Sequence, residues 1–113
     1  MKTIKAVKIE PSHAGVVVEV GNDLESLQAA VGGYLEVIRL DDGTVALIDE
    51  EAKLKANPPP PNVLATNIAR AVGIRPDDYI RGPMLIVGTL DPDGADDGEF
   101  HDVPRRWEWS VIR

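Results

Sequence analysis

The sequence predicts an α+β fold, a small antiparallel or mixed β-sheet with two helices packed on it, and three observations carry that reading. Short β-branched runs bounded by turn residues recur along the chain, as the strands of a sheet do. Two longer stretches place apolar residues at helical spacing behind an asparagine suited to capping. Between two β-rich segments, Asp41-Asp42-Gly43 supplies hairpin chemistry. The 113 residues leave room for one domain, predicted over 1–113, with the expected element order β-β-α-β-β-α-β-β.

Thr3–Ile9 and Gly15–Val20 read as the first two strands, joined through Pro11-Ser12-His13-Ala14. A helix follows, with Asn22 as the expected cap, Glu25 as its capping-box partner, and Leu24, Leu27 and Val31 on one face. Gly32-Gly33 should stop it, since glycine takes the left-handed conformation cheaply. Tyr34–Leu40 and Thr44–Ile48 form the arms of the hairpin, and Asp49–Leu54 is expected to make a single helical turn. Four prolines, Pro58–Pro61, make residues 57–62 a stiff internal connector without backbone donors. Asn62 then caps a helix over Val63–Val72, with Leu64, Ile68, Ala71 and Val72 on its expected buried face, and Gly73 ends it. Pro83–Leu90 is a strand apolar on both faces. Residues 91–102 form an acidic loop. The last segment, Arg106–Ile112, alternates well enough for a final strand with Trp107, Trp109 and Val111 on one face; a helix starting at Pro104 is its rival.

Charge and composition exclude whole classes of function. The net charge is −7, unevenly placed: +1 over residues 1–20, −5 over 21–56, +1 over 57–90 and −4 over 91–113. Such a field repels phosphate backbones, so direct duplex DNA binding is not expected. An acidic face offered to a basic partner is the sharper reading, and solubility the plainer one. The absence of cysteine removes disulfides and thiolate chemistry. The lysine-interrupted start lacks the apolar stretch of a signal peptide, and apolar runs such as Met84–Val87 are far short of a membrane span. A cytoplasmic protein with no membrane role is expected.

Catalytic chemistry is poorly supplied. Asp91–Glu99 resembles a calcium loop only in its density of oxygens, because Ala95 and Asp96 stand where a coordinating acid and a glycine belong. No metal and no cofactor is expected. His13 and His101 lie in loops without a nucleophile beside them, and no glycine-rich phosphate motif precedes a helix. What remains is a set of binding candidates. Asn62, Thr66 and Arg70 follow at i, i+4 and i+8 on one helical stripe, with Asn67 beside them. Trp107 and Trp109 beside Arg105 and Arg106 would stack a base or pack an interface. Tyr34, Arg75 and Arg81 complete the groups that would hold a nucleotide-like ligand if they faced one pocket.

Taken in order, Leu27–Val37, Leu40–Gly43, Glu50–Leu54, Pro61-Asn62, Ala65-Thr66 and Ile86–Thr89 form a pattern, with Val31–Gly43 and Glu50-Glu51 its most specific part. This pattern resembles a small domain-of-unknown-function family, number 3846, of phages and mobile elements. The likeness covers residues 1–90; Asp49 and Ala52 depart from the family's usual asparagine and glycine, and the four prolines and the tryptophan tail fall outside it. The resemblance implies a small accessory protein with no catalytic residues to transfer. By analogy, such proteins inhibit a host defence or a host enzyme.

The expected function is therefore a non-enzymatic binder. It would block a host protein through an acidic face or sequester a nucleotide-like molecule between protomers. If the arginines instead pair with the chain's own acids, sequestration fails. The alternatives are a structural homo-oligomer built on strand edges and, further off, a metal-dependent hydrolase using Glu50, Glu51 or Asp102.

Overall fold

The computed structural model describes residues 2–90 and 100–112, with side chains of the last helix through Glu108. Its strands are β1 (Thr3–Ile9), β2 (Val16–Gly21), β3 (Leu35–Asp41), β4 (Thr44–Asp49) and β5 (Met84–Gly88), and its helices are α1 (Leu24–Val31), α2 (Val63–Ala71) and α3 (Arg105–Ile112). All four strand pairings are antiparallel, in the order β2-β1-β5-β4-β3. The α+β class and the sheet with two main helices are as the sequence predicts.

Alternation along the central strands builds two cores. Val7, Ile9, Ala46, Ile48, Met84 and Ile86 face α2 and the loop around Ile80. Ile4, Ala6, Val45, Leu47, Leu85 and Val87 face α1 through Leu27 and Val31. Every residue of β4 and β5 is therefore buried. Helices cover both faces of the sheet, so most positions of its middle strands are apolar, and among the described strands β2 and β3 are the edges.

Several local expectations shift. The cap of α1 is Asp23, which accepts from the Ser26 amide and hydroxyl, and not Asn22 with Glu25. Asn22 is still committed to the sheet: its amide donates to the Lys2 carbonyl and its Nδ2 to the Phe100 carbonyl. Gly32 ends α1 at φ +99, as expected. The turn predicted over Asp49–Leu54 shortens to a 3-10 turn at Ala52–Leu54. In α2 the buried residues are Ala65, Thr66 and Ala69; Ala71 and Val72 are exposed, because the helix approaches the sheet through its small side chains.

The final strand is replaced by its helical rival. His101–Val103 takes the positions beside Gly88 and Lys5, with Gly88 and His101 exchanging backbone hydrogen bonds and the Val103 amide donating to Lys5. Residues 105–112 follow that segment as a helix, for which Pro104 favours the start. Trp107, Trp109 and Val111 therefore do not share a strand face. The acidic run Asp91–Glu99 lies outside the described residues.

Candidate functional site

The first two members of the polar stripe on α2, Asn62 and Thr66, turn inward, while Arg70 stays exposed. Asn62 is 1% exposed. Its Nδ2 donates to the carbonyls of Ile9 and Gly82, and its Oδ1 accepts from the Ala65 amide. Thr66 Oγ1 donates to the Asn62 carbonyl and accepts from the Ile80 amide. These two side chains join α2, β1 and the Ile80–Gly82 segment, and their hydrogen-bonding atoms are used within the chain. Asn67 is exposed on the outer face beside Val63, Leu64 and the Ser12-His13 turn.

The arginines disperse. Arg70 donates to the Asp78 carbonyl, Arg75 pairs with Asp77, and Arg81 Nε donates to the Pro59 carbonyl at 2.6 Å. With the Gly82 amide bonded to the Pro60 carbonyl, Arg81 docks the proline connector against the loop before β5. Arg106 donates to both Asp41 oxygens, the Asp42 carbonyl and Thr44 Oγ1. Trp107 Nε1 reaches the same Asp41 carboxylate at 2.7 Å while its ring packs on the α2-side core. Neighbours in a strand point to opposite faces; in a helix they lie about 100° apart, which lets both converge on Asp41. Arg105 is exposed, Tyr34 is 65% exposed at the start of β3, and the Trp109 side chain lies outside the described residues. The candidate residues thus occupy separate places and face no common pocket.

The Asp41 contact has a pH consequence. Burial raises its pKa, but the hydrogen bonds from Arg106, Thr44 and Trp107, with the Arg106 charge, outweigh that and hold it below the ordinary carboxylate value. A depressed acid stabilises fully above its unfolded pKa, about 3.9, and loses that contribution as pH falls through the folded value. In Trp109→Phe protein, acidification is expected to red-shift Trp107 emission as α3 loosens. Adding Asp41→Asn should remove that acid step; an identical transition in both proteins would refute the link.

A cleft that sequence reading missed lies beside β3. It holds about 60 Å³ between Glu36, Ile38, Ile48, Glu50, Lys53 and the Ile74–Arg81 loop. Lys53 pairs with Asp78 and sits 4.8 Å from the Tyr79 ring centre, with the Arg81 guanidinium 5.9 Å from that centre. Glu36 has a raised pKa, first through burial and then through the charges of Glu50 and Asp78, against which Lys53 acts. Negative charge is in surplus there. Arg75-Pro76-Asp77-Asp78 reads as a turn in the sequence, and nothing in it reveals that the turn folds over β3. Nearby, the Asp49 carboxylate is 2.5 Å from Lys55 Nζ and lies over Gly33, where a Cβ would come within 2.5 Å of it. Lys55 also donates to the Gly32 carbonyl, so this double glycine closes α1 onto the 3-10 turn.

A wider hollow of about 380 Å³ lies between Lys2–Ile4, Asn22 and Phe100–Asp102. Among the described residues no group of three or more histidine, cysteine or acidic side chains is placed to hold a metal ion, and no helix is long and apolar enough to cross a membrane. Residues 4–107 match a family described as a domain of unknown function (DUF3846), a span that runs through the proline connector and ends at Trp107. No curated protein and no solved structure matches the chain.

Proposed function

Starting from a chain that belongs to the DUF3846 family, we propose a non-enzymatic binding protein that engages a basic protein surface, and not a nucleotide trap. The observation that carries this is the fate of the arginines. Arg70, Arg75, Arg81 and Arg106 are each engaged by a carbonyl or carboxylate of the chain itself, at dispersed sites. An anionic ligand would have to displace those contacts one by one. A basic partner meets a chain of net charge −7, with Glu36 and Glu50 at the mouth of a cleft where carboxylates already crowd. The cleft is far smaller than the roughly 300–1,000 Å³ of ordinary ligand pockets, and suits one inserted side chain of a partner. In the phage or mobile-element setting that the resemblance implies, the partner would be a host defence protein or host enzyme in the host cytoplasm.

Affinity capture from host lysate with the wild type and with Glu36→Lys/Glu50→Lys tests this reading. The wild type is expected to retain a basic protein that the double variant and raised salt both release. Native mass spectrometry of freshly purified wild type supplies the opposing result: a stoichiometric nucleotide-sized adduct would overturn the proposal.

A further inference from the structure

The two edges of the sheet are built differently. β3 carries the exposed charges Glu36 and Arg39, and its register with β4 shifts between Arg39 and Asp41. Charges and irregularity of this kind block further strand pairing. β2, Val-Val-Val-Glu-Val-Gly, has neither proline nor bulge, and pairs regularly with β1 from Thr3↔Gly21 to Lys8↔Val16. Val16 is 53% and Val17 38% exposed, and among the described residues no strand pairs with the outer side of β2.

We propose that β2 pairs antiparallel with β2 of a second copy of this chain, about a two-fold axis at Val18, so that the sheet continues across a dimer. Backbone alternation sets which groups are available. The Asn22 amide donates to Lys2, which makes Lys2–Asn22 a hydrogen-bonded pair. By the antiparallel alternation, Ile4–Val20, Ala6–Val18 and Lys8–Val16 are the next such pairs, and Val17 and Glu19 turn their amides and carbonyls to the open side. A two-fold axis at Val18 sets Val17 of each copy against Glu19 of the other, so those outward groups satisfy one another. Val16 then faces Val20, and Val18 faces its own copy.

Charge favours a second copy at this edge. Residues 1–20 carry net +1 in a chain of −7, and Glu19 already stands opposite Lys5 within its own sheet. The Val18 axis brings no two carboxylates face to face, whereas an axis at Glu19 would. Pairing here joins two acidic molecules through a segment that is not itself net negative.

Light scattering on the full chain, with Val17→Glu and Val17→Lys, tests both the dimer and its register. The wild type is expected at twice 12.2 kDa. Val17→Glu sets two carboxylate pairs face to face and should raise the dissociation constant on the order of tenfold, while Val17→Lys faces Glu19 twice and should lower it. Thermal melting of each variant checks folding. A monomeric wild type overturns the proposal. So does a dimer whose dissociation constant moves the same way in both variants, or in neither. Glu36→Lys/Glu50→Lys should leave the dimer intact, so failure here and failure of the cleft reading are separable.

Discussion

Asn62→Ala is expected to destabilise the protein by about 3–5 kcal/mol, the sum of a lost helix cap and two buried carbonyls left without donors. The side chain is 1% exposed and bonds to Ile9, Gly82 and Ala65, so three parts of the fold lose a partner at once. Water has little access to replace the amide. Asn62→Asp keeps the capping oxygen but sets a buried carboxylate oxygen against the Ile9 and Gly82 carbonyls, acceptor against acceptor, and should be at least as damaging as Asn62→Ala. Urea unfolding with an unchanged slope gives the measurement. A loss for Asn62→Ala below about 1 kcal/mol would mean that Asn62 is not the joint described.

Gly88→Ala should be comparably damaging for a different reason. A Cβ at Gly88 would overlap the Asp102 carbonyl, which is backbone and part of the segment laid beside β5. Gly88 and His101 exchange two backbone hydrogen bonds, so relief of the overlap requires that segment to lift. Overpacking together with the lost bonds should cost about 3 kcal/mol. Since Val103 and α3 follow directly, Trp107 should also lose its core contact, visible as red-shifted emission in a Trp109→Phe background. Gly73→Ala is the control: its φ is +104 but nothing lies within 4 Å, so only the backbone conformation opposes it, by about 1 kcal/mol. Equal losses at the two glycines would refute the steric account of Gly88.

These two positions differ in how far the sequence announces them. Asn62 before an apolar helical run is visible as a cap, and it is one. Its second role, holding Ile9 and Gly82, is not visible, because both partners are distant in sequence and bonded through their backbone carbonyls. Gly88 reads as one more strand residue; the need for glycine arises only once His101–Val103 lies against it. The cleft beside β3 is hidden in the same way, since Glu36, Glu50, Lys53 and Asp78 are assembled by a loop folding back over the sheet.

By itself the sequence determined the local grammar of this protein: the hairpin at Asp41-Asp42-Gly43, the Gly32 stop, the Asn62 cap, the doubly buried β5 and the α+β class. Each depends on side chains and backbone preferences within a few residues. The tertiary structure alone decided that Arg106–Ile112 is helical, because His101–Val103 had already filled the sheet beside Lys5 and Gly88. It also decided that Arg70, Arg75, Arg81 and Arg106 bond within the chain and that, among the described residues, no strand pairs with the outer side of β2. Those outcomes depend on which distant backbone groups and charges are free when the strands have paired, and no short stretch of sequence carries that information.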